Sequence, residues 1–143
     1  MDIGKLHVLL VHFPIALALA AALGDILWVW RRKDFFRHAG FYCLLLAALA
    51  AIPTVIAGDE HLEQQQYTGE MLQIGETHDD LAMITLGVLL AAAVVRAIRQ
   101  NRPRRWWLAG YAVLIAAAAV MIIITAHWGG KLTFGPDYLS TLF

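Results

Sequence analysis

The sequence predicts an all-α integral membrane protein, an up-down-up-down four-helix bundle with both termini extracytoplasmic. Three observations predict it. Four apolar stretches come close to the ~20 residues of helix needed to cross about 30 Å of hydrocarbon. Hydrophobic residues make up 60% of the chain and charged residues 15%, whereas soluble domains carry about 25% charged residues. The basic residues gather on one side of the stretches and the acidic residues on the other. At 143 residues the chain reads as a single domain. Its net charge of zero gives no footprint for nucleic acid.

The first span covers about residues 6–30. Its apolar core and Ala18-Leu19-Ala20 resemble a signal peptide, but Met1 to Lys5 carry no net positive charge, so it reads as a retained span. Pro14 cannot donate to the carbonyl of Leu10, which predicts a bend just below His12. The second span, about residues 40–57, holds the single cysteine, Cys43, and has Pro53 near its end as a second bend. One cysteine excludes a disulfide within the chain, and the absence of C-x-x-C-H excludes a covalently attached c-type haem. The third span covers about 78–98 and the fourth about 106–127. Ala20–Ala22, Ala91–Ala93 and Ala116–Ala119 allow close helix approach. The one long connector, Asp59 to Thr77, is acidic and carries three consecutive glutamines, so it reads as a solvated loop or a short cap. The tail after Gly129 is too short to cross again. Phe134, Tyr138, Leu139, Leu142 and Phe143 lay it along the interface or on a partner. No internal repeat is evident.

Nine of the eleven Lys and Arg residues fall on one side: Arg31, Arg32, Lys33, Arg37, Arg96, Arg99, Arg102, Arg104 and Arg105. By the positive-inside tendency that side is the cytoplasm. Only Lys5 and Lys131 lie opposite, with Asp2, Asp59, Glu60, Glu63, Glu70, Glu76, Asp79, Asp80 and Asp137. Trp28, Trp30, Trp106 and Trp107 read as a belt of anchors at the cytoplasmic interface.

Threading the chain puts His7, His12, His61, His78 and His127 on the extracytoplasmic side and His38 beside the basic loop. Depth is counted at 1.5 Å per residue from Arg31, Arg96 and Arg105, taken as one edge. His12 and His78 then lie level, at about 28 and 27 Å, while His7 and His127 lie further out, at about 36 and 33 Å. The first and third spans of such a bundle are diagonal neighbours, so His12 and His78 are expected to face each other across the axis. Small or aliphatic residues lie below them: Ala16 and Leu19, Ala82 and Thr85. His7 and His12 differ by about 140° around a regular helix and cannot share one metal. His127 is the next candidate, as an exchange partner or a second-layer ligand. Asp25 is the one acid well inside a span. It pairs with a base such as Arg96 or Arg32, or it serves a proton path or quinone site.

The opening Leu6-His7-x-Leu9-Leu10-Val11-His12-Phe13-Pro14-Ile15 is similar to the start of the DUF2231 family of small four-span bacterial membrane proteins. Gly58-Asp59, His78 and the closing His127-Trp128-Gly129-Gly130-Lys131-Leu132 continue the resemblance over essentially the whole chain. Val8 stands where the family has Pro, and Thr133-Phe134 where it has Val-Tyr; neither removes a candidate ligand. The resemblance implies a place in the bacterial inner membrane. The family's recurrence in membrane proteins with cytochrome c-like modules implies a redox setting, by association alone.

Three functions compete. The leading expectation is a b-type cytochrome-like electron-transfer subunit rather than an enzyme. It would bind haem b near the extracytoplasmic face through neutral His12 and His78, and exchange electrons with a quinol or an extracytoplasmic cytochrome c. The second is a non-haem metal site, with His12, His78 and His127 joined by Asp59, Asp79 or Asp80; His7 and Asp25 are secondary candidates. The third is a structural or assembly subunit of a homo-oligomer or larger membrane complex, with no cofactor of its own. An absorption spectrum separates the first from the others.

Overall fold

The computed structural model describes residues 3–99 and 105–139, without the side chains of 3–5, 99 and 105–108. Asp2, Arg102, Arg104, Leu142 and Phe143, and the side chains of Lys5, Arg99, Arg105, Trp106 and Trp107, therefore lie outside the described residues. The described residues form five helices: α1 (Ile3–Leu10), α2 (His12–Arg31), α3 (Asp34–Gln65), α4 (Glu70–Arg99) and α5 (Arg105–Phe134). Four helical segments are long and apolar enough to span a membrane: Leu6–Arg31, Asp34–Gln65, Glu70–Ile98 and Ala109–Phe134. The division between α1 and α2 lies inside the first of them. Val11 keeps helical angles and donates to the His7 carbonyl at 2.9 Å, but Pro14 has no N–H for the carbonyl of Leu10, so the ladder is interrupted there.

His7 meets Gly58 while Gly24 meets Gly40, Leu62 meets Gly75 while the Arg37 carbonyl meets Arg96, and His78 meets Gly129 while Arg96 meets Tyr111, so successive helices pack antiparallel. α2 packs along α3, α3 along α4 and α4 along α5, with α1 seated on α3 and only slight contact between α2 and α5. The interior is made of small residues. Ala21, Ala47, Ala48, Ala92 and Ala118 are buried, and the two largest fully buried side chains are Leu44 and Leu89. Large aliphatic side chains such as Leu19, Ile26, Val94 and Ile123 point outward. This inverts the soluble pattern, as expected where lipid gives no apolar penalty and helices associate through close backbone packing. At Gly24 an added Cβ would meet the Gly40 Cα at 2.9 Å, so α2 and α3 touch backbone to backbone there.

The polar connector between the second and third spans is mostly helix. α3 continues to Gln65 and α4 starts at Glu70, leaving only residues 66–69 as a turn, with Gln66 and Gly69 at positive φ. Glu and Gln are good helix formers, and each helix satisfies its own backbone beyond the bilayer. The tail packs on its own bundle. The chain turns at Gly135, and Tyr138 folds back on α5, where its ring fills the space over Gly130 and stacks on Phe134 at 5.1 Å.

Candidate functional site

The acidic end of the bundle holds a pair of histidines, but not the expected pair. His7 on α1 and His78 on α4 face each other with ring centroids 6.4 Å apart and planes at 87°. His7 Nδ1 donates to the carbonyl of Thr54 on α3 at 2.9 Å, and His78 Nδ1 donates to the carbonyl of Thr125 on α5 at 3.0 Å. A carbonyl only accepts, so these bonds place a proton on Nδ1 of both rings, and in the neutral form of each ring the lone pair falls on Nε2. Neither Nε2 has a hydrogen-bond partner among the described residues. A glycine makes room for each ring. A Cβ added at Gly58 would stand 2.9 Å from His7 Cε1, and one at Gly129 would stand 3.0 Å from His78 Cε1.

Two chambers meet at the pair. The deeper one, about 90 Å³, is apolar, walled by residues such as Pro14, Ile15, Ala51, Leu86 and Ile122. The outer one, about 280 Å³, adds polar groups from His61, Tyr67, Asp79 and Thr133. Between α4 and α5, just below His78, Thr85 Oγ1 donates to the Leu81 carbonyl at 2.7 Å and lies 3.0 Å from Thr125 Oγ1. Thr85 spends its one proton on Leu81, so Thr125 is the donor to it.

His12 is exposed on the outer surface of α2 and lines neither chamber, so it does not face His78. His7 and His12 diverge around the helix, and with His7 turned inward His12 must turn out. The depth count went wrong at Arg96. That residue is not level with Arg31 at the edge; it sits deeper, beside Asp25. The same chain distance separates Asp25 from His7 and Arg96 from His78, which makes His7 the level partner. His127 packs against Tyr138, with centroids 6.2 Å apart, away from the pair. Asp79 lines the outer chamber, while Asp59 is exposed and lines neither. Among the described residues no group of three or more His, Cys, Asp or Glu side chains is placed to hold a metal ion.

The other end of the bundle has its own buried cluster. Arg96, 6% exposed, donates to Asp25 Oδ1 at 2.6 Å and to the Arg37 carbonyl at 3.1 Å. Tyr111 donates to Asp25 Oδ2 at 2.6 Å. The guanidinium lies 5.0 Å from the Tyr111 ring centroid and 5.4 Å from that of Trp28, so Trp28 covers a buried charge. The pairing of Asp25 with Arg96 was open to sequence reasoning. Tyr111 and the two threonine carbonyls were not found, because nothing local to those residues marks them, and Gly58 and Gly129 entered only as part of the family resemblance.

No curated protein and no solved structure matches the chain. A family model described as "Predicted membrane protein (DUF2231)" matches residues 5–137. With nearly its whole length matched and four membrane-length apolar helices, the chain belongs to the DUF2231 family of predicted membrane proteins.

Proposed function

We propose that this protein is a membrane electron-transfer subunit of b-type cytochrome character, holding one haem between His7 and His78. One observation carries the reading: two imidazoles with ring centroids 6.4 Å apart, each with Nδ1 tied to a backbone carbonyl and Nε2 without a hydrogen-bond partner among the described residues. Outer hydrogen bonds of this kind orient a ligating histidine and raise its basicity. The chambers above and below the pair offer space for the ring, and together they reach the lower range of ligand pockets, about 300–1,000 Å³. When bound, haem supplies one-electron chemistry. His7 and His78 would hold it through Nε2, with apolar residues lining the deeper side and polar groups the outer side.

The sorting of Lys and Arg supports an inner-membrane orientation with the His pair and both termini outside. The acidic outer end would suit a basic cytochrome c, and the membrane setting a quinol. A bare metal ion is the second reading. Asp79 and His61 line the outer chamber with the pair and would be the further ligands.

The test is the absorption spectrum of the purified protein, with haem and metal assayed on the same sample. A reducible Soret and α band is expected. Both bands should disappear in His7→Ala and His78→Ala, return on adding imidazole, and persist in His12→Ala and His127→Ala. Stoichiometric metal without haem would replace the reading by the second. A folded protein with neither would leave a structural or assembly subunit.

A further inference from the structure

Each feature of the His site occurs twice at a constant spacing. His7 and His78, Thr54 and Thr125, and Gly58 and Gly129 stand the same 71 residues apart as Asp25 and Arg96. The contacts repeat with the residues. In both halves Nδ1 reaches a threonine carbonyl 47 positions later, and in both the glycine four residues beyond that threonine abuts the ring. The same shift carries Asp34, which opens α3, onto Arg105, which opens α5. It also carries buried Ala21 onto buried Ala92, and buried Ala47 onto buried Ala118. In the deeper chamber, Ile15 answers Leu86 and Ala51 answers Ile122.

We infer that the chain is two copies of one helical hairpin joined in tandem, and that its cavity lies on the two-fold axis between them, taking a single ring ligand across that axis. The first copy is α1 with α2 and α3, and the second is α4 and α5. Both hairpins start at the acidic end, so the axis runs along the bundle, as in parallel repeats of membrane proteins. His7 and His78 are then equivalent atoms on opposite sides of the axis. The ligand's centre is common to both halves, and one chain holds one ligand.

The outer chamber breaks this symmetry. Val8 stands opposite Asp79, His61 opposite Leu132, and Leu62 opposite Thr133. These positions determine which way round a ring of near two-fold symmetry sits, while the His pair determines only where it sits. The identification of the ring as haem rests on the proposed function; the duplication does not.

The experiment compares matched substitutions in the full-length protein. Haem content per chain, visible circular dichroism and ligand-free melting temperature are measured. Gly58→Ala and Gly129→Ala should lower the melting temperature equally, and His7→Ala and His78→Ala should lose haem equally. The exchange of Val8→Asp with Asp79→Val should keep one haem per chain and change the sign or shape of the Soret dichroism. Two haems per chain, or a large melting loss at only one glycine, would overturn the inference. If no haem binds, the haem reading fails by itself, and the matched melting temperatures still decide the duplication.

Discussion

His7–His78 and Asp25–Arg96 join the same two elements, α1–α2 and α4, at opposite ends of the bundle about 27 Å apart. They differ in what is left over. At the basic end the partners are complementary: Asp25 accepts from Arg96 and Tyr111, and its charge is balanced. At the acidic end the partners are identical. Each ring donates Nδ1–H to a backbone carbonyl beside an open cavity, and neither Nε2 has a hydrogen-bond partner among the described residues. The first pair holds helices together, and the second has unused coordinating capacity. Unlike residues thus meet at one level of the bundle axis and like residues at another.

That contrast can be broken most sharply at Arg96. Arg96→Ala leaves Asp25 as an unbalanced buried charge and should destabilise the protein by about 3–5 kcal/mol, read from unfolding in detergent micelles. The double variant Asp25→Leu with Arg96→Met should recover much of that loss. If Arg96→Ala melts like the parent protein, the basic end does not do the holding.

Tyr111→Phe removes a single hydrogen bond to a carboxylate and should cost about 1.5–3 kcal/mol in the same assay. Haem content should be unchanged, because Tyr111 is remote from the His pair. Loss of the spectrum without loss of stability would show that the two ends are coupled rather than divided.

His7→Ala should cost the ligand-free protein only about 0.5–1.5 kcal/mol, the worth of one hydrogen bond to Thr54. It should still abolish ligand binding. A stability loss as large as that of Arg96→Ala would make the His pair a structural clasp. The smallest expected effect is Thr85→Val, which removes the hydroxyl contact with Thr125 and should cost about 0.6 kcal/mol.

The glutamines and acids of the second connector show how a reading of residue character can mislead. Polarity there marked exit from the membrane, not the end of helix, because a helix satisfies its own backbone on either side of the interface. The repeat is a different kind of omission. The spacing of His7, Thr54 and Gly58 recurs in His78, Thr125 and Gly129, so the pattern is present in the letters. It was not recognised because the spans between those residues are Ala- and Leu-rich and match at almost any offset. Only the shared contacts single out the right one.

Composition and hydropathy by themselves determined four apolar helices, the sorting of charge to two ends and the collection of histidines at the acidic one. These follow from solvation, which acts residue by residue and can be counted along a chain. The tertiary structure decided which histidines meet. That depended on helix rotation and on relative depth, and depth turned on a single contact. Counting assumed that Arg96 reached the interface as Arg31 does, whereas Asp25 and Tyr111 hold it inside the bundle. Its helix is shifted accordingly, His78 comes level with His7, and His12 is left facing outward. A charge can lie that deep only when another chain segment neutralises it, and no count along one segment reveals where its partner will be.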